Sequence, residues 1–312
     1  MIECWTASSA GPFERGLGAI LHDALTQRGV TVQWRPRPPR WPRLGPGPTL
    51  VFGFEAGLRA KRALAAWPDV ARAQAWLAEN PERELWVVFP AVAEALAAAN
   101  GPLGARVRLL PALIPDPYFL PGDPARVFTV TGTFHLEERP RWVASLPLDD
   151  GAALTRLLEL GHRHLKSGGE LLLLDGLAIR PRLAPVLERM RLAERVVFLP
   201  DLDHATAAAI FHSADLFLAP AKAEPGFALL AALAAGLPVV AHDDARVRIA
   251  TGGAAILVQR SDISAWSAAL DAATQWARTR EALIRRGLAV TAAWRLSEAL
   301  PAWLQAFEGV VA

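Results

Sequence analysis

Along most of the chain a short aliphatic or β-branched run is followed by a longer alanine- and leucine-rich stretch with apolar positions at helical spacing. The runs predict strands at Ile2–Trp5, Val30–Trp34, Thr49–Gly53, Leu85–Phe89 and Arg106–Leu110, then at Val127–Val130, Leu171–Leu174, Val196–Leu199, Leu216–Ala219, Val239–Ala241 and Ala255–Val258. Between them, helices are predicted over Arg15–Arg28, Gly57–Trp67, Ala152–Leu165, Arg182–Met190, Ala205–Ser213 and Ile263–Ala277. Strand alternating with helix implies α/β architecture with parallel, doubly wound sheets. The alternation breaks at "LLPALIPDPYFLPGDPAR", where five prolines between Pro111 and Pro124 exclude helix and central strand. A boundary near residue 121 follows, giving lobes 1–120 and 121–312 that face a cleft. After Trp266 the chain turns helical to its end, with Trp266, Trp276, Trp294 and Trp303 expected on buried faces. The last helix would cross back to the first lobe.

Composition narrows the classes. A hydrophobic fraction of 52% with 21% charged residues over 312 residues describes a globular chain with a substantial core. No apolar run reaches the ~18 residues of a membrane-spanning helix, since Gly236 and Pro238 interrupt Phe227–Ala241. The opening "MIECWTASS" lacks a basic segment followed by an apolar one, so no leader is expected. With Cys4 as the single cysteine, a cytoplasmic location is the expectation. The formal charge of +2 argues against a nucleic-acid partner, whose affinity rests on many phosphate contacts.

Four segments carry candidate chemistry. In "TASSAGPFERGLG" a small-residue loop around Gly11 leads from strand to helix, a geometry that offers free amides to an anion. The spacing of Gly11, Gly16 and Gly18 fails the dinucleotide fingerprint, so the loop reads equally as plain structure. "WRPRPPRWPRLGPGP" carries Arg35, Arg37, Arg40, Trp41 and Arg43 among six prolines and no acid. It reads as a contact for an anionic membrane surface or lipid-phosphate acceptor, or as a solvated connection. The histidines show no metal-ligand spacing, so no metal is expected; His135, placed just after the predicted strand Val127–Val130, is the one with a route to the cleft. Finally, "LFLAPAKAEPGFALLAALAAGLPVVAHDD" reads as buried strand, loop, helix with Pro225 in its first turn, stop at Gly236, and strand. The amides of Gly226, Phe227 and Ala228 then point into the crevice at the strand's carboxyl end, where a diphosphate fits. Glu224 either caps that helix or accepts hydrogen bonds from a sugar's hydroxyls.

This last segment resembles the donor-binding motif of the retaining family 4 glycosyltransferases of the GT-B fold, approximately E-P-F-G-L-x-L-L-E-A-M-A-A-G-x-P-V-V-A. "RVVFLPDLDHATAAAIFHSADLFLAPA" and "GGAAILVQRSDISAWSAAL" are similar to the flanking stretches of that family, and "LLPALIPDPYFLP" to its hinge. The resemblance is good over about 195–300, faint over 1–35 and 85–125, and absent over 36–84. It implies two Rossmann-like domains, the first shortened, and transfer of a sugar from a nucleotide-diphosphate donor with retention and without a cofactor or metal. It places the sugar contact on Glu224 and the diphosphate on Gly226, Phe227 and Ala228. The acceptor stays open, lipid-linked or anionic, with peripheral attachment to the inner membrane face as the corresponding expectation. Oligomeric state is left open. The sequence departs from the pattern at the second motif glutamate, replaced by Ala231 or Ala232, and in the inverted Gly226-Phe227 order. Of the family's Arg/Lys pair after the first strand of the second domain only Arg139 and Arg141 stand nearby, out of register, with Lys222 as a compensating cation. A non-catalytic binding subunit and a sugar-nucleotide epimerase are the alternatives.

Overall fold

A computed structural model describes residues 2–6, 12–35, 50–53, 60, 62–137, 140–145, 151–174, 176–222, 226–259 and 263–311. It divides into two compact units, one of residues 1–114 and 293–312, the other of residues 115–292.

The first unit is a parallel six-stranded sheet in the order β2-β1-β3-β4-β5-β6. Its strands are β1 (Ile2–Thr6), β2 (Val32–Arg35), β3 (Leu50–Phe52), β4 (Arg62–Leu64), β5 (Glu84–Val87) and β6 (Val107–Leu109), with α1 (Pro12–Gln27), α2 (Val70–Glu79) and α3 (Pro90–Asn100) between them. Burial on both faces explains the near-continuous apolar strands: Leu50, Val51 and Phe52 are all fully buried, as are Leu85, Trp86 and Val87. The expected helix over Gly57–Trp67 gives way to β4 within it. Ala63 through Ala66 are all buried, and an alanine-rich run enclosed on both sides has no two-residue alternation to betray a strand.

The second unit repeats the plan with the order β12-β11-β10-β7-β8-β9, again all parallel. After α4 (Pro124–Thr133) come β7 (Arg141–Ala144), α5 (Gly151–Lys166), β8 (Glu170–Leu173), α6 (Gly176–Met190), β9 (Val196–Phe198) and α7 (His204–His212). Then follow β10 (Leu216–Ala219), α8 (Phe227–Ala234), β11 (Val239–His242), α9 (Ala245–Thr251), β12 (Ala255–Val258), α10 (Ile263–Gln275) and α11 (Ala277–Thr291). Counted within the unit this is the order 3-2-1-4-5-6, which reverses direction between β7 and β10. In such sheets a ligand crevice opens beyond the carboxyl ends of the strands at that reversal.

Two readings around the boundary change. Val127–Val130 is helical, inside α4: Asp123 accepts hydrogen bonds from the amides of Ala125 and Arg126, and Pro124 occupies the first turn, so capping overrides β-branched propensity. The strand that opens the second sheet is instead β7, too short and too close to charged residues to stand out. The units divide between Ile114 and Pro115, ahead of the expected boundary near 121, because Tyr118 and Phe119 bury their rings in the second unit.

The chain then returns to the first unit. Ile114 pairs with Arg295 in a parallel bridge, and α12 (Leu296–Val311) packs there. Trp303, fully buried, donates its indole N–H to the carbonyl of Pro111 at 2.8 Å and meets Trp86 edge-to-face at 6.0 Å. Trp266 and Trp294 are buried as expected, whereas Trp276 caps the start of α11 and is 60% exposed.

Candidate functional site

At the second sheet's carboxyl edge β10 ends and, beyond residues 223–225, which lie outside the described residues, α8 begins. Gly226 is the N-cap of α8 with extended backbone (φ −82°, ψ 175°), and among the described residues no side chain caps the helix. Among the described residues the helix runs from Phe227, with Pro225 lying outside them, and the amides of Phe227 and Ala228 have no partner within the helix. A helix N-terminus with open amides is a ready anion site. The helix is anchored by the rest of its residues: Leu229 through Ala234 are buried, and Gly236 (φ +73°) closes it in the left-handed conformation that the Gly-Leu-Pro break anticipates.

The ring of Phe227 fixes where those amides lie. It packs edge-on against Tyr118 and against His204, both at 5.5 Å between ring centres. The Tyr118 hydroxyl stands 3.4 Å from Nδ1 of His204, and burial together with the nearby Asp203 carboxylate pushes the phenol's pKa up. At the other end of α7, His212 Nε2 lies 3.0 Å from the Tyr118 carbonyl oxygen. The Pro-rich segment is thus held at both ends of α7. Tyr118 is the one tyrosine of the chain, a signal the sequence offered and its prolines obscured.

The predicted site residues separate into three groups. Gly226, Phe227 and Ala228 stand together at the head of α8, and Lys222 is exposed on the loop before it. Glu224, Gly11, Arg139, Arg37, Arg40, Trp41 and Arg43 lie outside the described residues, as does the side chain of Arg35. Arg141 and His135 stand elsewhere. Arg141 opens β7 and so marks the amino edge of the sheet, opposite the head of α8. Its guanidinium is consumed there, by Glu170 at 3.1 Å and by the carbonyls of Ser213 and Glu137 at 2.7 and 2.6 Å. His135 follows a helix rather than a strand; it is exposed, with φ +52°, and ends α4 where a glycine commonly does. Neither is brought to the anion site.

What sequence reasoning missed is Arg156. It rises from α5, the helix after β7, and its Nη1 donates to the Pro220 carbonyl at 2.9 Å, just past the end of β10. One arginine in an amphipathic helix reads as a solvent-facing residue, so no pattern marked it. In the first unit the corresponding edge holds Glu14, buried in the first turn of α1, which accepts from the Ala66 amide at 3.0 Å. Beside it Trp67 stacks on Phe89 at 4.6 Å.

A cavity of about 410 Å³ opens at the amino edge of the second sheet, lined by Trp142, Leu160, Arg163, His164, Leu270 and Asp271 among others. The indole of Trp142 and the imidazole of His164 stack there at 3.9 Å, and Arg163 pairs with Asp271. It faces away from the helix start that offers amides. Among the described residues no group of three or more histidines, cysteines and carboxylates is placed to hold a metal, and no helix is long and apolar enough to cross a membrane.

Known proteins are similar to this chain in part of its sequence and in its fold. Residues 173–275, which include the whole β10–α8 segment, match the family model described as Glycosyl transferases group 1. A D-inositol 3-phosphate glycosyltransferase of Mycobacterium marinum is 36% identical over 100 residues, 31% of this chain and 22% of that one. The chain thus matches about a fifth of that relative's length. Over nearly their full lengths, two solved structures superpose. Sucrose-phosphate synthase from Thermosynechococcus elongatus has a TM-score of 0.67 at 16% identity, covering 100% of this chain and 99% of the other. Anabaena HepE in complex with UDP and glucose has a TM-score of 0.67 at 11% identity, covering 99% of each. Residues 173–275 are therefore similar in sequence to the group 1 glycosyl transferases, and the whole chain has the two-unit GT-B fold.

Proposed function

We propose that the protein is a glycosyltransferase that moves a sugar from a nucleoside diphosphate donor to an acceptor with retention, and that its second unit holds the donor. The observation that carries the reading is the start of α8, which no described side chain caps, at the carboxyl edge of the sheet and inside the segment matched by the group 1 family. As the bond from the anomeric carbon to the diphosphate breaks, negative charge gathers on the departing oxygens and positive character on the sugar. Fixed amides at Phe227 and Ala228 stabilise the former without reorganising. Glu224 accepts hydrogen bonds from the sugar hydroxyls. Charge for the diphosphate comes from side chains and the helix dipole, with no metal. The proline- and arginine-rich stretch 34–48 contacts an anionic membrane surface that presents the acceptor.

Calorimetric titration with UDP, GDP, ADP and their sugar conjugates tests the donor site. Micromolar binding of one diphosphate is expected, with Glu224→Ala weakening its sugar conjugate about tenfold and sparing the free diphosphate. Failure to bind any of them overturns the reading. Flotation with anionic liposomes tests the membrane contact: neutralising Arg35, Arg37, Arg40 and Arg43 should abolish it, and unchanged flotation would reject it.

One observation favours a non-catalytic binding protein instead. Ala231 and Ala232, one of which stands in place of the second motif glutamate, are both fully buried in α8 and offer a ribose nothing to bond. Release of free sugar from the bound conjugate, absent in a pure binder, separates the two readings.

A further inference from the structure

We infer that Arg156 is a diphosphate-binding residue, holding the loop beyond β10 with one N–H and presenting its remaining donors to the departing diphosphate. This rests on the donor-site reading above. Its position comes from topology. The sheet order reverses between β7 and β10, α5 follows the first of these strands, and Pro220 follows the second. The Arg156–Pro220 hydrogen bond, 2.9 Å long, therefore joins the two sides of the crevice at its reversal point. In sequence, Pro220 lies six residues before Gly226, the N-cap of α8.

Charge supports the assignment. Four other arginines of the unit are matched by carboxylates, Arg141 by Glu170, Arg163 by Asp271, Arg246 by Asp244 and Arg248 by Asp243, whereas Arg195 donates to the Gly168 carbonyl and Arg180 lies over the Phe198 ring. Arg156 is half-buried, and among the described residues its partner is a neutral carbonyl. A guanidinium partly withdrawn from water and left without a counter-ion is costly unless an anion visits it. By sequence, residues 145–150 read Ser-Leu-Pro-Leu-Asp-Asp and contain no cation. A planar fork with one arm pinned loses little further entropy when its other donors meet phosphate oxygens, which is the advantage of arginine over lysine.

The test compares the diphosphate that binds the wild type most tightly, among UDP, GDP, ADP, CDP and TDP, with its monophosphate and its nucleoside. Arg156→Met and Arg156→Gln are each titrated with all three, with circular dichroism and thermal melts confirming folding. Neither replacement carries a charge, and glutamine keeps a polar head that stops about two bonds short of the Pro220 contact. Both variants should weaken the diphosphate about tenfold or more, the monophosphate less and the nucleoside not at all. If Arg156→Gln binds the diphosphate like wild type, or if all three ligands weaken equally, Arg156 only positions the loop and the inference is overturned. A wild type that binds none of the five removes the donor site itself, whereas binding by the wild type with no diphosphate-specific loss removes only the role of Arg156.

Discussion

Arg141 and Arg156 are separated by one loop, yet they do opposite work. Arg141 is 6% exposed and locked to Glu170, 4% exposed, so it secures the amino ends of the central strands. Replacing it by methionine strands a buried carboxylate, and a loss of about 3–5 kcal/mol in denaturant unfolding is expected. Nucleotide binding by the folded variant should be unchanged, because the residue lies at the far edge of the sheet. Neither role was legible beforehand: the carboxylate partner of Arg141 is 29 residues away and that of its amide, Asp215, is 74 away. His164 makes a second residue-level prediction. Burial holds its imidazole below the usual 6.5, opposed by its bond to the Glu170 carbonyl and by the Asp215 charge. The unfolded chain therefore takes up this proton first as pH falls through 6.5, so the associated stability is intact above that value and lost below it. His164→Phe keeps a ring against Trp142 but cannot titrate. Its stability should fall less steeply than wild type between pH 6.5 and 5, by at most about 1.4 kcal/mol per pH unit.

Elements were legible where the pattern and the terminal chemistry agree. β10 and β12 lie at their predicted residues, and α8 stops at Gly236 as its Gly-Leu-Pro break requires. They were misread where the two conflict. Val127–Val130 has the composition of a strand, but Asp123 and Pro124 start a helix three residues earlier. Asp123→Ala should lower stability by about 1 kcal/mol and reduce helical circular dichroism, since both bonded amides lose their acceptor. That helix buries little beyond Val130, so its cap carries an unusual share of its stability. The candidate site divided along the same line: the backbone amides at the head of α8 follow from local signals, whereas the side chains that surround them arrive from helices distant in sequence.

At the scale of the whole molecule, alternating strands and helices announced two doubly wound units, and the prolines put their boundary near residue 121, whereas the units divide between Ile114 and Pro115. The ownership of the last helix depends on Trp86, Pro111 and Trp303 meeting, a contact spanning most of the chain. Removing residues 293–312 uncovers Trp86 and leaves Ile114 without its bridge partner. The truncated protein should lose the calorimetric transition of its first unit while keeping one for residues 115–292, and limited proteolysis should clear the former first.

The pairing of Ile114 with Arg295 also sets a schedule. Because the chain leaves and re-enters the first unit at neighbouring points, the second unit is an insertion within it. A ribosome must make all of residues 115–292 before it supplies the helix that finishes the first unit, a wait of about 10–40 s at roughly 5–20 residues per second. The unit synthesised first is thus completed last. Its half-made sheet, with the Trp86 side uncovered, is the nascent surface a chaperone would meet.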